Sequence, residues 1–226
     1  MAKKRTRHGF IKKAARWLLF VHIWYWGIIA ILCVLYSFVN PPITPTMLQR
    51  YLVRAYPISK RDYIPLERIP KISIAMLITL EDGNFYEHHG FEWGMIKEAR
   101  KKNKAAGKII FGGSTLSNQL ARTLFLTTDR NYLRKYLEAQ ATVIMELIMT
   151  KNRILELYLN YAEWGKGIYG METAARHYYK CSAEDLGKEQ TMRLLSVLSS
   201  PIRYNPESYA ASPSARARMQ LLRTYY

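Results

Sequence analysis

The feature that most constrains this chain is an uninterrupted apolar segment near its N-terminus. Residues 17–39, WLLFVHIWYWGIIAILCVLYSFV, contain no Lys, Arg, Asp or Glu. At about 1.5 Å per residue, a helix of this length crosses the roughly 30 Å hydrocarbon layer of a membrane. A cleaved signal peptide is the alternative, but the apolar part is long for one, and no small-x-small cleavage site precedes YSFVNPP. The segment therefore predicts one transmembrane helix.

The residues before this segment are basic and predict its orientation. Residues 1–16 carry seven Lys and Arg and no acidic residue, and such a flank stays on the cytoplasmic side. We therefore expect a cytoplasmic tail at 1–16, with everything beyond residue 39 outside the cytoplasm. The tail accounts for seven of the formal net charge of +17, which leaves about +10 for the rest. That charge favours a polyanion or an anionic membrane, and we expect no nucleic acid, because an extracytoplasmic domain would seldom meet it.

Beyond the membrane segment the sequence predicts one mainly α domain. Residues 40–59 begin with NPPITP, which predicts a stiff juxtamembrane linker and assigns the domain to 60–226. Residues 101–108, KKNKAAGK, are expected to be mobile, and no convincing alternating strands are found. Predicted helix starts lie at Pro70, Ser114, Tyr132, Thr150, Ser182 with Asp185, and Ser212 with Pro213.

The helix predicted from Tyr132 to Met149 is assigned an apolar side made by Leu133, Leu137, Ile144 and Leu147. The two cysteines, Cys33 and Cys181, lie in the membrane segment and far along the domain. They support neither an intramolecular disulfide nor a thiolate metal site.

The stretch LEDGNFYEHHG, residues 80–90, places two carboxylates after an apolar run. Glu81 follows that run at the negative end of a helix, and both effects raise the pKa of its carboxyl group towards neutrality, as a general base requires. On these residues alone a helix-end turn is the commoner explanation. Asp82 is predicted to be a local structural partner.

Two further stretches carry candidate ligand contacts. GGSTLSNQLARTLF, residues 112–125, combines two glycines, two hydroxyls and a helix start, which together form an anion site, with Arg122 two turns further on. A capped helix without a ligand explains it equally well. RKYLE, residues 134–138, places two cations and Glu138 on one helix face. It is either a surface salt bridge or a cationic pair that holds a pyrophosphate, and the spacing alone does not choose between them.

In this order the motifs resemble those of the peptidoglycan glycosyltransferases, glycosyltransferase family 51, and specifically the monofunctional biosynthetic peptidoglycan transglycosylases. The resemblance covers roughly residues 60–210. The family motif E-D-x-x-F-x-x-H-x-G is matched in full within 81–90, R-K-x-x-E within 134–138, and I-L-E-x-Y-L-N within 154–160. The motif G-G-S-T-I-T-Q-Q-L-A-K is matched except at Leu116, Ser117, Asn118 and Arg122.

The resemblance implies a lysozyme-like fold with a helical larger lobe and a small membrane-proximal jaw. Its substrates would be lipid II and the growing glycan chain. Glu81 would deprotonate the 4-hydroxyl of the acceptor, which displaces undecaprenyl pyrophosphate with inversion to form a β-1,4 bond. The implied catalytic residues are Glu81 and Glu138, and the implied substrate-binding residues are Ser114, Thr115, Asn118, Gln119, Arg122, Arg134 and Lys135.

The resemblance also implies a setting in the bacterial cytoplasmic (inner) membrane, with wall-synthesis proteins such as transpeptidases as partners, since the chain ends at Tyr226 without room for a transpeptidase domain. No cofactor is certain: Glu138 is expected to orient the neighbouring cations or a bound divalent metal ion. Two alternatives stay open. One is a lysozyme-like peptidoglycan hydrolase or lytic transglycosylase, and the other is an inactive membrane scaffold of the wall-synthesis machinery.

Overall fold

In the computed structural model, which describes residues 2–58, 61–107 and 112–226, the chain is mainly α-helical. Two short antiparallel strands, β1 (Glu163–Gly165) and β2 (Ile168–Tyr169), form a hairpin. The helices are α1 (Ala2–Phe38), α2 (Pro45–Arg54), α3 (Lys71–Glu81), α4 (Trp93–Ala106), α5 (Leu116–Phe125), α6 (Tyr132–Ile148), α7 (Lys151–Tyr161), α8 (Met171–Tyr179), α9 (Lys188–Val197) and α10 (Pro213–Tyr225).

The predicted transmembrane helix forms part of α1. Its segment Lys12–Phe38, 27 residues long, is long and apolar enough to cross a membrane. The helix also continues back through most of the basic tail, because no proline interrupts it. Most large side chains of the apolar segment are exposed to the surroundings, as expected for a helix whose solvent is lipid.

The end of α1 is attached to the rest of the chain by an arginine. The Arg153 guanidinium of α7 donates to the carbonyl oxygens of Tyr36 (2.8 Å) and Val39 (3.3 Å) and to Asn40 Oδ1 (2.8 Å). The carbonyl oxygens of Tyr36 and Val39 are backbone acceptors that a helix end leaves without an internal partner. The guanidinium therefore caps the end of α1 from the domain side.

The core is built around α5 and α7. Helix α5 packs between α6 and α7, and its Leu116, Leu120 and Leu124 are buried, as the helical periodicity predicted. Helix α7 is buried on nearly all sides from Ile154 to Tyr161, so it forms the centre of the fold. Helix α3 packs against α9 and α10, which brings the C-terminal segment to the end of α3.

Most predicted helix starts are confirmed by their caps. The side chains of Thr115, Thr150 and Ser212 accept hydrogen bonds from backbone N–H groups in the first turns of α5, α7 and α10, and α3 begins directly after Pro70. The cap predicted at Ser182 is wrong for α9. Ser182 caps the short 3-10 turn Ala183–Asp185, and α9 starts after Gly187, whose N–H donates to Gln190.

The stretch predicted to be mobile and the predicted juxtamembrane linker both contain helices. Residues 101–106 form the last turns of α4, because alanine and lysine favour helix once the preceding residues are helical; Lys108 lies outside the described residues. The predicted linker 40–59 contains α2, which Thr44 caps and Pro45 opens. Residue 59, the last of the predicted linker, lies outside the described residues.

The apolar side predicted for α6 is not its buried side. Leu133 and Leu147 are 68% and 80% exposed, whereas Glu138, Ala141 and Met145 are buried. Helix α6 lies along α1, so its outward apolar side chains flank a membrane helix. Lipid can cover the exposed apolar side of α6. The carboxylate of Glu138 can be buried on the opposite side because it has cationic partners.

Candidate active site

The carboxylate of Glu81 lies at the end of α3 in a largely enclosed position, with its side chain 11% exposed. Its Oε2 accepts a hydrogen bond from Gln119 Nε2 of α5 at 2.9 Å. Its Oε1 accepts one from the guanidinium of Arg218 in α10 at 2.5 Å. Both oxygens are therefore held by side chains from other helices, which fixes the direction in which the carboxylate points.

The contact with Arg218 was missed by the sequence reasoning. The same guanidinium nitrogen donates to the carbonyl oxygen of Leu195 at 3.1 Å, and the Nε atom is buried without a partner among the described residues. The signal was present in α10, where the buried residues Ala215, Met219 and Leu222 form one stripe. Arg218 lies on that stripe, and an arginine on the apolar face of a helix needs an anionic partner.

Gln119 is oriented by a tyrosine of α7. The Tyr158 hydroxyl donates to Gln119 Oε1 at 3.0 Å, which turns the amide nitrogen towards Glu81. Burial, reinforced by the negative charge of Glu81, raises the pKa of Tyr158 well above its usual value. Its hydroxyl therefore keeps its proton and stays a donor throughout the physiological pH range.

Asp82 is a structural residue, as predicted. Its side chain is buried, Oδ1 accepts from His88 Nε2 at 2.8 Å, and Oδ2 accepts from the backbone N–H of Leu116 at 2.9 Å. The N–H of Gly90 donates to the other ring nitrogen of His88 at 3.0 Å. The carboxylate thus joins the end of α3 to the positive N-terminus of α5.

Thr115 and Asn118 close the loop before α5. The Thr115 hydroxyl donates to the carbonyl oxygen of Gly90 at 2.7 Å, and the Asn118 amide donates to the same oxygen at 3.0 Å and to Thr142 Oγ1 at 3.2 Å. Both side chains are buried. These hydrogen bonds hold the loop before α5 in place. The contact of Thr115 and Asn118 with a substrate remains a prediction.

Glu138 is buried on α6 between two cations. Its carboxylate accepts hydrogen bonds from Arg134 and Lys135, one on each oxygen, and its side chain is 1% exposed. Lys135, about half exposed, also donates to Ser114 Oγ at 3.3 Å. This cluster is not a surface salt bridge, because its carboxylate is enclosed. The geometry instead holds two cationic groups in fixed positions beside residues 112–115, here called the GGST loop.

Six of the nine predicted site residues line two cavities, and Glu81, Thr115 and Glu138 are in neither lining. A cleft of about 650 Å³, here called the cationic cleft, is lined by Gln119, Arg122, Arg134 and Tyr158, together with Arg50, Arg130, Glu163 and Arg203. Arg122 makes no ion pair within the described part of the chain, so its charge is available to a ligand. Glu163 is the acidic side chain of this lining; burial raises its pKa, although its ion pair with Arg50, at 3.1 Å, opposes the shift.

The second cavity is a groove of about 570 Å³ between α4 and the GGST loop, here called the apolar groove. Its lining includes Phe91, Ile96, Ala99, Ser114 and Lys135. Because Arg134 borders the cationic cleft and Lys135 the apolar groove, the cations on Glu138 stand where the two cavities approach each other.

The described residues do not form a built metal site. They contain no group of three or more His, Cys, Asp or Glu side chains placed to hold a metal ion. Both oxygens of Glu138 already accept from cationic side chains.

Comparison with known proteins identifies the family. The family model described as Transglycosylase matches residues 49–224. A biosynthetic peptidoglycan transglycosylase of Dechloromonas aromatica is 45% identical over 146 residues, which cover 65% of this chain and 63% of that protein. The protein of the same name from Pseudomonas aeruginosa is 38% identical over 206 residues, 88% of each chain. That of Herminiimonas arsenicoxydans is 36% identical over 225 residues, 94% of this chain and 96% of that protein.

The family match covers the end of α3, the GGST loop and the Arg134–Glu138 cluster, which are the parts that carry the site described above. The chain therefore belongs to the transglycosylase family and is a glycosyltransferase.

Proposed function

We propose that the chain polymerises lipid II into β-1,4-linked glycan strands, with Glu81 as the general base. The observation that carries the proposal is the position of Glu81. Its carboxylate is enclosed and held by Gln119, which lines the cationic cleft beside Tyr158 and Arg122. A fixed carboxylate beside a cluster of cations suits a reaction that joins an alcohol to a sugar with loss of an anionic leaving group.

In the proposed reaction Glu81 removes the proton from the 4-hydroxyl of the acceptor sugar. The oxygen attacks the anomeric carbon of the donor in line, the bond to the pyrophosphate oxygen breaks, and the configuration inverts. An alcohol is a poor nucleophile without a base, and a positioned base contributes about 10²- to 10⁴-fold to the rate. The bonds from Gln119 and Arg218 keep the carboxylate oriented before the acceptor arrives.

The leaving pyrophosphate needs positive charge, which α5 and α6 supply. Arg122 and Arg134 line the cationic cleft, and Lys135 lies at the neighbouring groove with Ser114. Glu138 orients the two cations of α6 and does not itself contact the reacting atoms in this proposal. We assign Thr115, Asn118 and Gln119 to holding the loop and the base, and Gln119 also lines the cleft.

The substrate carries its pyrophosphate on a lipid, and the chain carries a helix able to cross the membrane. The basic residues before residue 17 favour a cytoplasmic N-terminus. We propose that the catalytic domain lies on the outer side of the bacterial cytoplasmic membrane and takes lipid II from the membrane surface. Transpeptidases that cross-link the product would be its working partners.

The test is polymer formation from purified lipid II, followed on gels, by the full-length protein. We expect glycan polymer from the wild type and none from Glu81→Gln, which keeps the shape of the side chain but cannot accept a proton. Glu184→Gln is the matched control, since Glu184 pairs with Arg68 on the surface, 47% exposed. Active Glu81→Gln protein would refute the base role.

The same assay decides between the alternatives. Release of fragments from finished peptidoglycan, with no polymer from lipid II, would show a hydrolase or lytic transglycosylase. A folded wild-type protein that does neither would be an inactive scaffold. The arginines of the cationic cleft favour polymerisation, because cutting a finished glycan strand releases no pyrophosphate.

A further inference from the structure

Helix α2, which lies in the predicted juxtamembrane linker, forms one wall of the cationic cleft. Its Thr46 and Arg50, one helical turn apart, both line that cavity. The Thr46 hydroxyl donates to the carbonyl oxygen of Leu126, just after α5, at 3.3 Å. Met47 is buried, and α2 packs against α5. The helix is therefore a fixed part of the cleft.

Gln49 of α2 holds the loop that joins α5 to α6. Its Oε1 accepts from the backbone N–H of Thr128 at 2.8 Å and from the Thr128 hydroxyl at 3.0 Å, and its Nε2 donates to Asp129 Oδ1 at 3.0 Å. Arg130, the next residue, lines the cleft, and the carbonyl oxygen of Asp129 accepts from Arg134. Helix α2 thus contacts the segment that carries two other arginines of the cleft.

Arg50 is held at one edge of its guanidinium. Its Nε and Nη2 both donate to Glu163 Oε2, at 3.2 Å and 3.1 Å, and Nη1 has no hydrogen-bond partner among the residues that the structure describes. The side chains of Arg50 and Glu163 are 19% and 12% exposed. Because a guanidinium is planar and presents its donors in a fixed arrangement, a carboxylate on one edge leaves the Nη1 donors oriented for a ligand.

Glu163 reaches Arg50 from a hairpin that is fixed in turn. Across the hairpin Glu163 pairs with Tyr169. Burial, reinforced by the charge of Glu163, raises the pKa of the Tyr169 hydroxyl, so this group stays neutral beside the carboxylate. In the turn, Gly167 has φ +73°, and a Cβ there would lie 1.9 Å from the carbonyl oxygen of Pro57, which follows α2. This close approach packs the hairpin against the chain after α2.

The cleft carries more positive charge than one pyrophosphate requires. Its lining contains one carboxylate, that of Glu163, and five arginines: Arg50, Arg122, Arg130, Arg134 and Arg203. The proposed reaction brings two lipid-borne pyrophosphates to the protein, that of the donor and that of the acceptor. Arg122 and Arg134 are assigned above to the leaving pyrophosphate, which leaves Arg50 available for a further phosphate contact.

We infer that Arg50 is a further substrate-binding residue, which donates hydrogen bonds to a phosphate of a lipid-borne substrate in the cationic cleft, while Glu163 holds its guanidinium in place. The inference rests on the proposed function in that the ligand is a lipid pyrophosphate. Arginine suits this contact because its fork of donors matches the geometry of a phosphate. Helix α2 is then part of the binding apparatus as well as a connection to the membrane helix.

The experiment measures binding of a fluorescent polyprenyl pyrophosphate to the full chain in lipid nanodiscs, with the uncharged polyprenol of the same length as a second probe. We expect Arg50→Met to raise Kd for the pyrophosphate about 10- to 100-fold, because charge-assisted hydrogen bonds are lost. Binding of the polyprenol should not change. Arg50→Lys keeps a charge and should recover part of the affinity.

Arg54→Met is the matched control, since Arg54 is on the same helix, is exposed and does not line the cleft; it should bind like the wild type. Inorganic pyrophosphate at the concentration of the probe tests whether free phosphate is the ligand. It should not displace the probe, because the lipid chain contributes to binding. Full displacement would overturn the inference.

A double variant separates a binding role from a structural one. Arg50→Met alone leaves the carboxylate of Glu163 uncompensated, which lowers stability by itself. Arg50→Met with Glu163→Gln removes both charges, so the thermal midpoint should return towards that of the wild type. The affinity for the pyrophosphate should stay about tenfold weaker or more, because the phosphate still lacks its donor. Wild-type affinity in the double variant would show that the ion pair only fastens α2 to the hairpin.

Failure of this inference is distinguishable from failure of the proposed function. If the wild type binds the pyrophosphate and polymerises lipid II while Arg50→Met behaves like Arg54→Met, Arg50 does not bind the substrate and the proposed function stands. If Arg50→Met weakens binding of the pyrophosphate but the wild type forms no polymer, the proposed function is wrong and the contact of Arg50 stands. Equal weakening for both probes, or no binding by the wild type, would overturn the inference.

Discussion

Replacing Arg218 tests how Glu81, the proposed base, is held. In Arg218→Met the carboxylate of Glu81 loses its cation but keeps its enclosed position. Removing one partner of a buried ion pair typically costs about 3–5 kcal/mol, because the other charge is left uncompensated. The two side chains are 15% and 11% exposed, so we expect the lower end, about 3 kcal/mol. For a domain of this size that lowers the thermal midpoint by roughly 6–12 °C.

The same change should slow the reaction. Gln119 still holds one oxygen of Glu81, but the other oxygen loses its donor, so the carboxylate can turn. A misplacement of about 1 Å can cost about 100-fold in rate. Arg218 does not line the cationic cleft, so we expect the loss in kcat and little change in KM for lipid II. Arg218→Lys retains the charge and should recover part of both stability and rate.

A double-mutant cycle gives the decisive result. When Glu81 is also replaced by Gln, no uncompensated carboxylate remains, so Arg218→Met should cost about 1 kcal/mol or less in that background. We therefore expect a coupling of at least about 2 kcal/mol between the two positions, measured by thermal unfolding in detergent. If the two losses simply add within about 0.5 kcal/mol, the ion pair does not hold the base.

Three further changes test other parts of the structure. Asp82→Asn should lower stability by about 1–3 kcal/mol, because one donor among His88 and the α5 backbone loses its acceptor; unchanged thermal unfolding would contradict this. Gly90→Ala should cost about 2 kcal/mol, since φ is +90° and a Cβ would lie 2.9 Å from a neighbouring side chain, whereas Gly83→Ala has open space and is the control. Burial raises the pKa of the Cys181 thiol above that of an exposed cysteine, so less thiolate exists at pH 8, and alkylation by iodoacetamide, followed by mass spectrometry, should be slower than that of an unstructured cysteine peptide at the same pH; an equal or faster rate would refute it.

Local signals in the sequence predicted much of the site. The end of α3 near Glu81, the start of α5 near Ser114 and the span of α6 follow from apolar periodicity and capping residues, which act over a few positions. The pairing of Glu138 with the cations before it also follows from helical spacing. These features need no knowledge of how the helices pack.

The contacts between helices could not be predicted in the same way. Arg218 lies 137 positions from Glu81, and Tyr158 lies 39 positions from Gln119, so their meeting depends on the tertiary fold. The outward apolar face of α6 was missed for another reason. Periodicity shows that a helix has an apolar face, but it does not say whether protein or lipid covers that face.

The hydrogen bonds from Arg153 to the end of α1 limit how the domain can move relative to that helix. A domain on a loose tether would sample many heights and tilts above the bilayer, and each encounter would have to select a productive one. Here the guanidinium donates hydrogen bonds to the carbonyl oxygens of Tyr36 and Val39, so the domain keeps one orientation relative to α1. A lipid-borne substrate moves in the same plane, and the search reduces to diffusion in two dimensions with the orientation already set.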